Sequence, residues 1–207
     1  MRVQLPYYEV GEKLGWDQED FRDPFMYFGG CGAVTACDLS IFLAREHDMT
    51  SLCPFSPERV EKADYLAFSK TMKRFLRPRV QGVDTLELWL EGYQAYLRSV
   101  SREERLPRFY AFPQMGNSWE EAAKQIVRQI DRHFLVPMLL LRHKNYLYKD
   151  ISWHWFNLAG YDSMDDDLLL RLVTYGEEQW ISLRELWDSG YEERGGLIGM
   201  RMPEFRG

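Results

Sequence analysis

The sequence predicts an α+β fold in which a buried N-terminal helix packs on an antiparallel sheet built from the C-terminal half. Three observations carry this reading. From Gly32 the stretch AVTACDLSIFLA is small or apolar on nearly every helical face, the pattern of a helix enclosed by protein. Further helical patterns recur as far as Phe134. Beyond Phe134 the period shifts towards two, with turn residues between short apolar runs, which is how strands read.

Taken in order, residues 1–30 carry Pro6, Gly11, Gly15, Pro24, Gly29 and Gly30 without periodicity. They read as an extended lead-in holding one short strand. The buried helix follows, with Val34, Cys37, Ile41 and Ala44 at helical spacing. Ser56-Pro57-Glu58 combines a capping hydroxyl, a proline at the first helical position and an acid near the positive end. A helix is therefore expected to start there and to run through Phe68, Met72, Phe75 and Leu76 to Pro78. Another is expected over about 84–99, with Leu86, Trp89, Leu90, Tyr93, Tyr96 and Leu97 on one side. Arg102 to Arg105 read as a charged linker. Residues of about 50–110 thus form a helical insertion between the central helix and the sheet, within a single domain over 1–207.

Ser118-Trp119-Glu120-Glu121 is a capping box, and it opens a helix carrying Ala122, Ile126, Ile130 and Phe134. Strands are expected at 138–142, 153–161, 168–174, 179–181 and 197–202, with turns at 162–167 and 175–178. A helical turn is expected at 183–187. The acids Asp165, Asp166 and Asp167 suit a solvated hairpin tip, and the group Trp119, Trp153, Trp155, Trp180 and Trp187 is expected to pack the sheet face.

Composition narrows the function classes. With 45% hydrophobic and 15% aromatic residues, the 207-residue chain can fill a core and is not of disordered type. A net charge of −6 offers no positive field for phosphate backbones, so nucleic acid is not an expected partner. Three cysteines, Cys31, Cys37 and Cys53, make an odd count without a CxxC pair, which suits a reducing, cytoplasmic setting. The four histidines form no HExxH motif, and neither a metal nor a cofactor is expected. The first twenty residues lack the apolar core of a signal peptide. The longest apolar run, Leu135–Leu141, contains Pro137 and is too short for a membrane span.

One place has chemistry. Cys31 follows Gly29-Gly30 directly and precedes the buried helix. Unpaired N–H groups and partial positive charge at a helix start favour thiolate over thiol. The N–H of Cys31 could also receive an oxyanion. His154 begins the strand HWFNLAGY, from which an imidazole could lean onto the helix start and take a thiol proton. Taken alone, each has a plainer reading: a small buried residue at a helix end, and a core histidine between Trp153 and Trp155. Cys37 reads as core, and Cys53 as a loop residue.

Gly30-Cys31-Gly32 opening an Ala-rich helix, then at long range a histidine leading a hydrophobic strand to Gly160-Tyr161, resembles the papain-like cysteine peptidases. The likeness is nearest to the bacteriocin-processing (double-glycine leader) peptidase branch and similar bacterial proteins. HWFNLAGY is similar to the papain pattern HAVAAVGY, with the histidine likewise six residues before the glycine. VTYGEEQWISLRELW resembles the closing strand, where an Asn-Ser-Trp-Gly string orients the histidine. The resemblance implies a papain-like fold and a cysteine peptidase or amidase-like acyl-transfer activity on a peptide or small amide. Cys31 would be the nucleophile and His154 the base.

The departures are specific. The orienting position falls on Val173, which cannot hold an imidazole; Thr174 and Asp162 are the candidate substitutes, with Asp165–Asp167 behind them. The family's second oxyanion donor, six residues before the cysteine, falls on Phe25, with Gln18 and Asp23 the nearest polar groups upstream. The proline of the Cys-Gly-Pro string is Ala33. Loss of one oxyanion donor costs roughly a hundredfold to a thousandfold in rate. Two other readings therefore stand beside the enzyme: a catalytically degenerate papain-fold protein that binds a peptide or partner, and a transglutaminase-like acyltransferase. The latter shares the cysteine-then-histidine order but lacks its aspartate strand here.

Overall fold

In a computed structural model, residues 1–79, 82–100 and 106–203 are described. The expected central helix, α2 (Cys31–Glu46), follows a six-residue helix α1 (Pro24–Gly29), and every side chain of α2 from Cys31 to Ala44 is buried. A helix enclosed on all sides needs polar groups with internal partners, and it has them. Ser40 Oγ bonds the Ala36 carbonyl and lies 3.0 Å from the Tyr93 hydroxyl, while Asp38 meets three tyrosines described below.

The sheet contains β4 (Arg108–Pro113), β5 (Val136–Leu140), β6 (His154–Ser163), β7 (Leu168–Thr174), β8 (Glu177–Ser182) and β9 (Gly196–Arg201), in the order β4-β9-β5-β6-β7-β8. Every neighbouring pair is antiparallel. The fold is mixed α and β, with this antiparallel sheet and its helices as the frame. Strand β6 is long enough to hold two partners along one edge: β5 pairs with His154–Leu158, and β1 (Arg2–Gln4) with Gly160–Asp162. Gly160 permits the second pairing, because a Cβ there would lie 2.7 Å from the Val3 carbonyl.

Helices α3 (Lys62–Met72) and α4 (Leu86–Val100) lie between α2 and the sheet in sequence. Trp89, fully buried on α4, donates through Nε1 to the Gly32 carbonyl and stacks on Trp155 of β6 with centroids 5.4 Å apart. Helix α5 (Trp119–Ile130) carries both reciprocal bonds of the expected capping box, and α6 (Leu183–Trp187) is the expected helical turn.

Several expectations need correction. Helix α3 starts at Lys62, not at Ser56: Pro57 and Glu58 form a turn, and Val60 enters the core before the helix begins. It ends at Met72, with turns carrying Phe75 and Leu76 towards Pro78. The lead-in is richer than one strand: it holds β1, the hairpin β2 (Glu9–Val10) and β3 (Lys13–Leu14), a 3₁₀ turn at Gln18–Asp20, and α1. Residues 108–113 are strand β4, so the helical segment closes before 110. The charged linker at 102–105 lies outside the described residues. Of the tryptophan group, Trp155 and Trp187 are buried, but Trp153 is 41% exposed and Trp180 lies under the Arg2 guanidinium.

Candidate active site

Cys31 is the first residue of α2, and no side chain caps the helix there. The first-turn amides are therefore available to the thiol, and the N–H groups of Gly32 and Cys31 itself pull its pKa down. So does the backbone N–H of Trp155, the residue after His154 on β6. Burial outweighs all three and leaves the thiol above its ordinary value. Thus the cysteine sulfur rests against the start of the central strand, more than a hundred positions away in sequence.

The thiol stands between two spaces. On one side is a cleft of about 370 Å³, lined by Phe28, Gly29, Val83, Leu139, Leu141 and Trp153, with Asp84, Arg142 and Glu193 among its polar groups. The Arg142 guanidinium sits over the Trp153 and Tyr191 rings and lies 3.6 Å from Glu193. On the other side is an inner cavity of about 10 Å³, the room of one water molecule, shared by Cys31 and His154. Trp16, Gln18, Thr35, Asp38, Asn157, Val173, Thr174 and Tyr175 also line it. Three of these residues keep a buried polar atom without a hydrogen-bond partner: Trp16 Nε1, Gln18 Oε1 and Asn157 Oδ1.

His154 is buried, and both ring nitrogens are engaged. Nε2 lies 2.7 Å from Thr174 Oγ1, and Nδ1 lies 3.3 Å from the Tyr175 hydroxyl. The Tyr175 ring stacks on the imidazole with centroids 4.5 Å apart and planes 8° from parallel. No hydrogen bond between the imidazole and the Cys31 thiol occurs among the described residues. Burial pulls the histidine down to about 3, so it is neutral at ordinary pH. As folded, the pair is thiol and imidazole rather than thiolate and imidazolium.

Of the two candidate orienting groups, the structure brings only Thr174 to the histidine. Asp162 lies eight residues further along β6, about 26 Å away at the rise of a strand, opposite Arg2 and 3.8 Å from the amino terminus. Asp165 and Asp166 are exposed at the β6–β7 tip, as expected. Upstream, Phe25 is 68% exposed and Asp23 caps α1 and pairs with Lys73, so neither belongs to the site. Gln18 does, with Nε2 donating to the Tyr27 carbonyl at 2.7 Å. Cys37 is enclosed in the core and all three cysteines are free. Among the described residues no group of three or more His, Cys, Asp and Glu could hold a metal ion, and no helix is long and apolar enough to cross a membrane.

Sequence reasoning missed most of the inner wall. Trp16 and Gln18 arrive on the lead-in, and Asn157 comes from β6, where its amide donates to the Thr35 carbonyl and the Tyr7 hydroxyl. Asp38, two helical turns after Cys31, accepts hydroxyl bonds from Tyr8 and Tyr65 at 2.6 Å and from Tyr7 at 2.9 Å. Burial still raises it to about 6, because three phenols offset only part of the lost hydration. Tyr175 opens the turn expected at 175–178. It is the first of two left-handed residues, φ 52° then 75° at Gly176, that join β7 to β8. Trp153, just before His154, is left-handed too, at φ 53°. Such a backbone costs a non-glycine residue about 1–2 kcal/mol, so two bulky aromatics are held in strained conformations beside the histidine. No protein-family model and no curated protein matches the chain.

Proposed function

We propose that the chain is a papain-like cysteine acyl-transfer enzyme, peptidase or amidase in type, acting on a peptide or small amide. One observation carries the reading: Cys31 at the start of an enclosed helix and His154 at the start of the central strand border one small cavity, with the thiol also open to a larger cleft. The carbonyl compound would enter from the cleft. His154 takes the thiol proton, and the thiolate attacks the carbonyl carbon. The Cys31 N–H and, once its amide turns from the Tyr27 carbonyl, Gln18 would face the oxyanion. Collapse expels an amine that takes the proton back from His154 and leaves a thioester, which water hydrolyses or an amine captures. Thr174 stands in for the orienting amide by engaging Nε2.

A second reading is favoured by a specific observation, the full engagement of both imidazole nitrogens. On it, the fold has lost catalysis and keeps the cleft as a peptide- or partner-binding groove.

Short peptidyl acyloxymethyl ketones, which need an activated cysteine, separate the two. The enzyme reading expects alkylation of Cys31 well ahead of Cys53, abolished in Cys31→Ala and strongly slowed in His154→Ala. Labelling no faster than at Cys53, together with unaltered peptide binding by Cys31→Ala, would establish the binding reading instead.

A further inference from the structure

We propose that Tyr175 is the positioning residue of the Cys31–His154 pair: its hydroxyl holds Nδ1 of His154, fixes the Nε2–H tautomer, and must leave that nitrogen before the thiol can protonate it. The inference rests on the reading of Cys31 and His154 as nucleophile and base.

Both ring nitrogens face hydroxyls, each of which can give or take a proton. On this assignment the phenol, 3.3 Å from Nδ1, is the donor and Nδ1 the acceptor. The proton of a neutral imidazole is then on Nε2, where it donates to Thr174 Oγ1 at 2.7 Å. The phenol keeps its proton in this setting. Burial is the first reason, and the Glu19, Asp17 and Asp150 charges around it oppose ionisation as well. A phenol that keeps its proton can go on donating to Nδ1, which has no second lone pair to offer a thiol.

The turn is built to keep the ring there. Tyr175 occupies the first position of a two-residue hairpin loop with both residues left-handed, a geometry that Asn, Asp or Gly would adopt with less strain. The stacked arrangement at 4.5 Å is held from outside by the lead-in: Leu14 N–H donates to the Gly176 carbonyl at 2.8 Å, and the Lys13 side chain lies over Gly176. Lys13 is itself fastened by Asp17 and Asp20 at 2.7 and 2.8 Å. Strain at one residue, a ring face and a hydroxyl all converge on the same imidazole, which is the pattern of a residue placed for its effect on a neighbour. Release needs only the Tyr175 side chain to rotate away, the Gly176 carbonyl staying on Leu14 N–H.

The test uses protein labelled with ¹⁵N-histidine, read by long-range proton–nitrogen spectra, alongside iodoacetamide alkylation of Cys31 followed by mass spectrometry across pH. Wild type should show the Nε2–H form alone. Tyr175→Phe should give mixed tautomers and a higher His154 pKa, with Cys31 alkylated about three- to tenfold faster, the factor that one hydrogen bond of ordinary net strength supplies. That gain should vanish when His154→Ala is added. Tyr175→Asn, which suits the left-handed turn, should reproduce the spectral change in a protein at least as stable. Unchanged histidine spectra in both variants, or slower alkylation in Tyr175→Phe, would overturn the inference. Altered spectra with an alkylation gain that persists without His154 would support the hold on Nδ1 and overturn His154 as the base.

Discussion

Replacing His154 by glutamine tests the charge state of the resting site through folding stability. The native imidazole titrates at about 3 and an unperturbed histidine at 6.5, so between these values the unfolded chain binds a proton that the folded chain refuses. Stability contributed at this position is intact above pH 6.5 and falls as pH drops towards 3. Between pH of about 7.5 and 5 the loss integrates to about 2 kcal/mol, using 1.36 kcal/mol per unit of pKa difference and the partial titration at each end. His154→Gln keeps a group that can bond Thr174 but cannot titrate. Urea denaturation of both proteins at both pH values gives the difference directly. The gap between wild type and variant should move by about 2 kcal/mol against the wild type at the lower pH. A thiolate–imidazolium pair would raise the histidine instead, making wild type gain on acidification towards 6.5. A gap that is constant, or that moves in favour of wild type, would refute the neutral pair.

Two further outcomes follow from neighbouring features. Asp38 has the opposite sign: its folded pKa of about 6 exceeds the unfolded 3.8, so wild type should gain about 1 kcal/mol relative to Asp38→Asn between pH of about 7.5 and 5. The same denaturation series measures it, and a loss on acidification would show that the three tyrosine bonds outweigh burial. At Gly30, the joint between α1 and α2, a Cβ would lie 2.3 Å from the Met26 carbonyl. Gly30→Ala should cost about 1–3 kcal/mol by shifting backbone against backbone, and should lower Cys31 reactivity, as thermal melts and alkylation rates would show.

What the sequence disclosed depended on how each feature is encoded. The enclosed helix was plain because Ala33, Ala36, Ser40 and Leu43 fill the faces that a surface helix would give to charge. The five later strands were visible through alternation, to within a few residues at their ends. Strand β4 was hidden beside the charged linker, and the lead-in elements are too short for any period to register. Helix α1 carried an overlooked signal, Asp23 capping Phe25 with Pro24 at the first position. For α3 a good local start at Ser56 yielded to the tertiary demand that Val60 be buried. Thr174 could be named because it adjoins the position of the missing amide. Gln18, Asn157 and Tyr175 could not be assigned, since a cavity wall is assembled from distant segments and leaves no spacing to read.

The shared edge of β6 has a consequence for how the molecule is made. The berth for residues 2–4 is a strand that leaves the ribosome some hundred and fifty residues later, and the same lead-in supplies the Trp16 and Gln18 side of the inner cavity. Pairings so remote in sequence form slowly and late, after local helices have collapsed. A nascent chain truncated before β6 would carry Cys31 as an ordinary thiol with no imidazole and no wall around it. Assembly of the proposed Cys31–His154 site is thereby tied to completion of the whole sheet.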